Sequence, residues 1–153
     1  MISVRLAEPR DAAAISVLLI NSITRLCAAD HHNDPDILSR WLANKTPEGV
    51  GLWFANPDNT MLVAEREDEL AAAGAFNTSR EIILNYVAPA HRFAGVSSAL
   101  LAAIEATLGA GEATLSSTAT ALQFYKSRGW IVTGGREAWA GMTAYPMRKM
   151  LGA

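Results

Sequence analysis

Residues able to do chemistry concentrate in LNYVAPAHRFAGVSSALL, Leu84 to Leu101. A strand-like run breaks at Pro89. A helix-like run of small and apolar residues starts near Gly95, with no Ser, Thr, Asp or Asn before it to cap it. The free N–H groups at such a helix start carry the positive end of the helix dipole and favour phosphate. Gly95 lets a ligand approach the backbone closely. Arg92 adds a positive charge, and Ser97 and Ser98 add small hydroxyl donors. The chemistry implied is a cradle for a pyrophosphate. The same residues also suit an ordinary strand-to-helix turn. The loop matches neither G-x-x-x-x-G-K-[ST] nor G-x-G-x-x-G.

The elements that must position this loop can be read from periodicity. Ile2, Val4 and Leu6 alternate as a half-buried strand. Pro9 suits the first position of a helix that runs to about Leu26. Asp34 caps a second helix carrying Trp41 and Leu42. Pro47 opens a short helical piece with Leu52, Trp53 and Phe54. Met61–Ala64 and Leu70–Phe76 read as strands joined by a charged hairpin. Glu81–Val87 reads as a strand buried on both faces. A long helix follows Gly95 and ends at Gly109–Gly111. Ala113–Leu115 is a short strand. Thr118 or Thr120 caps a helix that carries Phe124 and Tyr125 and ends at Gly129. Trp130–Val132 and Met142–Met150 are further strands. This order predicts an α/β or α+β fold, a mixed sheet with helices layered on it.

Composition bounds the function. The chain has 153 residues, which predicts one domain over 1–153, and half of them are hydrophobic, enough for one core. Net charge is −2, which argues against a general nucleic-acid or anionic-membrane binder. Cys27 is the only cysteine, so no intrachain disulfide forms, and a reducing cytoplasm is the simplest compartment. No signal peptide or membrane-spanning run is visible.

Arg92–Phe93–Ala94–Gly95–Val96–Ser97 resembles the R/Q-x-x-G-x-G/A motif of the GNAT acetyltransferase superfamily, whose loop binds the pyrophosphate of acetyl-coenzyme A. Ala121–Leu122–Gln123–Phe124–Tyr125, with Gly129–Trp130 beyond it, looks like the family's A-x-x-F-Y-x-x-x-G-F/Y segment. The element order resembles the family's over nearly the whole chain. Ser97 departs from the usual Gly or Ala, but it is small and keeps its N–H. The resemblance implies a mainly antiparallel central sheet of six to seven strands, helices on both faces, and a splayed parallel strand pair.

It also implies roles. Tyr125 falls where members use a tyrosine as general acid to the coenzyme A sulfur, and Phe124 lies beside it at the cofactor. A phenol with pKa near 10 can donate to a forming thiolate. Glu81 stands eleven residues before Arg92, where some members keep a base; it also suits a strand edge. Asn85, Tyr86 and Val87 are expected to pair their backbone with the pantetheine arm, and the Val87 N–H to polarise the acetyl carbonyl. Thr118 stands where many members have an Asn that touches the cofactor, and a plain helix cap fits it equally. The cofactor set is then Asn85, Tyr86, Val87, Arg92 to Ser98, Thr118 and Phe124.

The acceptor is expected between the first two helices, where Asp30 and His31 could orient a cationic amine. Two adjacent histidines do not share a helix face, so no metal is expected there. His91 is expected on the outer face of the loop. Cys27 has no partner base and is not expected to be a nucleophile. The leading expectation is an acetyl-CoA-dependent N-acetyltransferase acting on an amine of a small molecule or peptide, without nucleic acid or membrane partners and with a homodimer possible by family habit. The alternatives are a non-catalytic acyl-CoA binding or sensing domain and a plain scaffold.

Overall fold

The computed structural model describes residues 1–152. Its strands are β1 (Ile2–Leu6), β2 (Asn59–Arg66), β3 (Glu69–Asn77), β4 (Glu81–Val87), β5 (Gly111–Ser117), β6 (Ile131–Val132), β7 (Glu137–Trp139) and β8 (Met142–Leu151). Its helices are α1 (Ala12–Leu26), α2 (Ala28–His31), α3 (Pro35–Leu42), α4 (Pro47–Ala55), α5 (Val96–Leu108) and α6 (Leu122–Ser127). The sheet runs β1-β2-β3-β4-β5-β8-β6, with β7 paired to β8. Every pairing is antiparallel except β4 with β5.

Eight strands stand where six to seven were expected. The addition is β7, three exposed residues just past Gly134–Gly135, too short to show an alternation. Among the described residues no helix is long and apolar enough to cross a membrane.

Alternation along the strands sends side chains to two cores. Leu62, Ala64 and Ala72 face one side and pack with Leu100, Leu101 and Ile104 of α5 and with Tyr125 of α6. Met61, Val63, Ala73 and Ala75 face the other side and pack with Ile15, Leu18 and Leu19 of α1 and Val50 of α4. The i, i+3, i+4 spacing of Ile15, Leu18 and Leu19 is what turns one stripe of α1 onto the sheet. A third cluster joins Ile23 and Cys27 to Trp41 and Met142.

Two turns are set by local chemistry. Asp34 accepts from the N–H groups of Asp36 (2.9 Å) and Ile37 (3.4 Å) to start α3. Glu67 and Asp68 both take positive φ, 55° and 62°, as a two-residue hairpin requires.

β4 is buried on both faces, by Ile82 in the core under α5 and by Leu84 in the core under α1, but not along its whole run. Its register against β3 shifts between Ala75 and Phe76, so Ile83 is an extra residue on β4. That bulge leaves Ile83 42% exposed. The shift is invisible in the run Ile82–Ile83–Leu84, because a bulge residue has no composition of its own.

Candidate active site

The site begins where β4 leaves β5. The two strands pair only at Glu81–Thr114 and Ile82–Leu115. β5 then stays with β8 as far as Ser117 opposite Tyr145, so the rest of β4 has no neighbour on that edge. The N–H of Ala88 is spent on the carbonyl of Ala71, at 2.8 Å. Backbone direction alternates along a strand, so Tyr86 also faces β3, while Asn85 and Val87 turn their backbone groups toward the gap. Tyr86 therefore reaches the gap through its side chain.

Three cavities meet at this gap. The first, about 450 Å³, is walled by Asn85, Tyr86 and Val87 of β4, the loop and first turn of α5, and Phe124, Tyr125 and Arg128. The second, about 310 Å³, is walled by Trp41, Lys45, Ile83, Leu84, Trp139 and Met142. A throat of about 60 Å³ lies between β4 and β5. Tyr86 and Thr118 border all three.

In the first cavity, α5 starts at Gly95, which holds φ +82° and provides no side-chain cap. Its first N–H groups have no acceptor within the helix. Nearby are Arg92, whose guanidinium lies 4.4 Å from the Phe93 ring centre, and Phe93 itself, 91% exposed with φ 66°. Ser97 borders the cavity; Ser98 does too, with its hydroxyl taken by Arg128. Arg128 also stacks on Phe124, 4.0 Å from the ring centre. Sequence reasoning passed over Arg128. The signal was present: it stands four residues after Phe124, on the same helical face.

Tyr125 is buried at the boundary of the first cavity and the throat. Its hydroxyl oxygen accepts from the Asn85 side-chain amide at 2.9 Å. The phenol proton is thereby left for another acceptor. Burial pushes the phenol up to about 12, against a smaller lowering by Asn85. Burial also raises the Tyr86 phenol. Cys27 lies in the wall of the first cavity, and burial, with Asp30 nearby, pushes its thiol up to about 12. At neutral pH it is a packed thiol, as its lack of a base suggested.

Other expected residues lie elsewhere. Ala94 packs into the core below the loop and does not wall the cavity. Glu81 sits at the start of β4, four residues or roughly 13 Å along the strand from Asn85. Its carboxylate accepts from the Asn77 amide at 3.3 Å and borders none of the three cavities.

Asp30 and His31 are buried in α2 rather than set in an open loop. The Asp30 carboxylate accepts from the N–H groups of Ala119 (2.7 Å) and Thr120 (3.1 Å) and from the Thr120 hydroxyl. The His31 Nε2 donates to the carbonyl of Ile23 at 2.8 Å, and its Nδ1 accepts from the Asn33 N–H at 2.9 Å. Both side chains hold backbone in place, and Asp30 also borders the second cavity. The Thr118 hydroxyl accepts from the Ala121 N–H at 3.1 Å in the turn that leads into α6, and the residue borders all three cavities.

His91 is inside, not on the outer face. Its Nδ1 accepts from Arg66 at 3.2 Å, and Nε2 stands 3.7 Å from Glu69 with no hydrogen-bond partner.

The site is thus a parallel pair that splays over an uncapped helix start, with a phenol in the gap. The model of the acetyltransferase (GNAT) domain matches residues 36–151, and the chain belongs to that family, which makes it an acyltransferase. Solved structures show the same fold. A GCN5-related N-acetyltransferase from Rhodopseudomonas palustris is 21% identical with a TM-score of 0.85, covering 97% of this chain and 95% of that one. The PaiA N-acetyltransferase of Thermoplasma acidophilum, in complex with coenzyme A, is 16% identical with a TM-score of 0.78 over 98% and 99% of the two chains. YncA of Salmonella typhimurium, solved with acetyl-CoA, is 19% identical with a TM-score of 0.64 over 99% and 94%. No curated protein is a significant match.

Proposed function

We propose that the protein moves an acetyl group from acetyl-CoA directly to a primary amine, with the donor in the first cavity and the acceptor in the second. The observation that carries this reading is Tyr125, a buried phenol with an uncommitted proton at the throat that joins the cavities. The first cavity suits the donor. The free N–H groups of Val96, Ser97 and Ser98, together with Arg92 and Arg128, suit a pyrophosphate. The outward backbone groups of Asn85 and Val87 suit a ligand that pairs as a strand would.

Acetyl-CoA supplies an activated thioester carbonyl. The Val87 N–H donates to the oxygen as negative charge develops there. A new C–N bond forms, the C–S bond breaks, and the amine proton leaves to water. Tyr125 donates its proton to the departing sulfur and is reprotonated from solvent. A phenol near 12 is a poor acid toward an ordinary thiolate. Burial raises a thiol as it raises a phenol, as Cys27 in the wall of the first cavity illustrates, so a sulfur leaving into the gap is a stronger proton acceptor than one in water.

One observation favours a second reading, a non-catalytic acyl-CoA binding domain. No carboxylate borders the throat among the described residues, and Glu81 stands away from it. Glu81 serves as base only through a chain of waters. Following release of free thiol from acetyl-CoA across a panel of amines separates the two. Release above the background hydrolysis rate supports transfer. Tight binding with no release by any amine supports the binding domain.

A further inference from the structure

Lys45 borders the second cavity, and among the described residues its ammonium group has no carboxylate partner. Lys45 lies between α3 and the Thr46 cap of α4. Its carbonyl accepts from the Ser16 hydroxyl of α1 at 2.5 Å, which ties its backbone down. The residue is only 7% exposed. Its Nζ donates to the Trp41 carbonyl (3.2 Å) and the Asn44 side-chain oxygen (2.6 Å), and stands 5.7 Å from the Trp53 ring centre. All of these partners are neutral. Among the described residues no carboxylate forms an ion pair with it. A buried cation without a counter-charge is costly, and burial alone lowers this amine to about 8.

Trp41, Ile83, Leu84, Tyr86, Trp139 and Met142 give the cavity an apolar and aromatic wall, and the serines and threonines of Ser116–Thr118 and Thr143 line another part of it. Trp41 and Trp139 meet edge to face, 6.3 Å between ring centres, and Trp139 is half exposed at the rim. Of the two acidic residues in the wall, Asp30 is committed to Ala119 and Thr120, and Glu137 is exposed. A volume of about 310 Å³ suits one small molecule.

Resting on the transfer reading above, we propose that the acceptor is an apolar or aromatic amino acid, or a close amino-carboxylate, whose carboxylate pairs with Lys45 while its side chain lies against Trp41 and Trp139. The amine is then left to face the throat at Tyr86 and Thr118. Polyamines and aminoglycosides are disfavoured, because Lys45 repels a polycation and the Asp30 oxygens are already taken by Ala119 and Thr120.

The test uses two probes without an amine, 3-phenylpropionate and its neutral amide, titrated into the protein by NMR. The acid should bind at least tenfold tighter than the amide at pH 7. That preference should fall as pH rises through about 8, where Lys45 loses its proton, while the amide stays level. Nothing else packed on Nζ titrates: Ser16, Trp41, Asn44 and Trp53 are neutral, and Asp30, Glu137 and Tyr86 face it only across the cavity. Lys45→Met should bring the two affinities together. Equal binding by the wild type, no binding of either probe at millimolar concentration, or a flat pH dependence overturns the assignment, whether or not the variant folds. Acetyl-CoA binding is measured on the same sample. Its failure would remove the transfer reading and leave the carboxylate result standing.

Discussion

At the residue scale the molecule separates groups that act from groups that hold. Tyr125 has a hydrogen bond coming in and none going out, so its proton is available. Tyr125→Phe should lower kcat by about 10²- to 10⁴-fold, the usual worth of a positioned acid, with acetyl-CoA affinity unchanged. Steady-state turnover with separate equilibrium binding checks both halves. Because the phenol is pushed up to about 12, it stays protonated as pH rises past 10, where an ordinary tyrosine ionises. The kcat profile should therefore show no falling limb centred near pH ~10, and a limb there that vanishes in Tyr125→Phe would contradict the shift. Asp30 is the opposite case. Its carboxylate serves three donors of the β5–α6 connection, and Asp30→Ala leaves them unpaired in a buried place. The expected loss is about 3 kcal/mol or more, read from the urea midpoint. A change in acceptor KM at unchanged stability would restore Asp30 to the acceptor site.

At the element scale the opening turn of α5 depends on one backbone conformation. Gly95 holds φ +82°, and an added Cβ would meet nothing nearer than Ile2 Cδ1 at 3.9 Å. Space is therefore not the obstacle. Gly95→Ala should cost about 1–2 kcal/mol for the left-handed conformation alone, and should weaken acetyl-CoA binding as the turn relaxes. Thermal unfolding with and without ligand measures both.

The elements also show what sequence reading can reach. α3 was legible because Asp34–Pro35 is a cap and a first-turn proline. α5 was legible because Val96, Leu100 and Ile104 keep helical spacing after a glycine. α2 was not legible. It is four residues long, and it exists because Asp30 and His31 bond to backbone distant in sequence or in the next turn. Polar residues read as a surface loop until their partners are known. Lys45 was missed for the same reason: a lone lysine after a helix carries no mark of burial.

At the scale of the whole molecule, ligand binding is a stability measurement. Acetyl-CoA at about 100 times its Kd should add about 2.7 kcal/mol to the folded state. For a chain of this size each kcal/mol raises Tm by roughly 2–4 °C, so a rise of roughly 5–10 °C is expected by scanning fluorimetry. No rise at millimolar ligand would leave the first cavity without its proposed occupant. The cleft that produces this effect was only half legible. The loop proposed for the pyrophosphate is a local motif and could be read from Arg92 to Ser98. The cavity proposed for the acceptor is assembled from Lys45, Ile83 and Trp139, far apart in the chain, and no spacing rule connects them.

The parting of β4 and β5 also bears on how force passes through the protein. A continuous sheet carries strain sideways through its hydrogen bonds. Here that lateral path narrows to Glu81–Thr114 and Ile82–Leu115, and the halves are otherwise joined by the core beneath α5 and by side-chain bonds such as Asn85–Tyr125 and Asp30–Ala119. The joint is a natural hinge line. A molecule lodged in the gap works as a clasp across it, and its departure frees the two halves to breathe. The slowest-exchanging amides on β4 should thus be those turned toward β3, at Tyr86 and Ala88, while those of Asn85 and Val87 gain protection only when the clasp is in place.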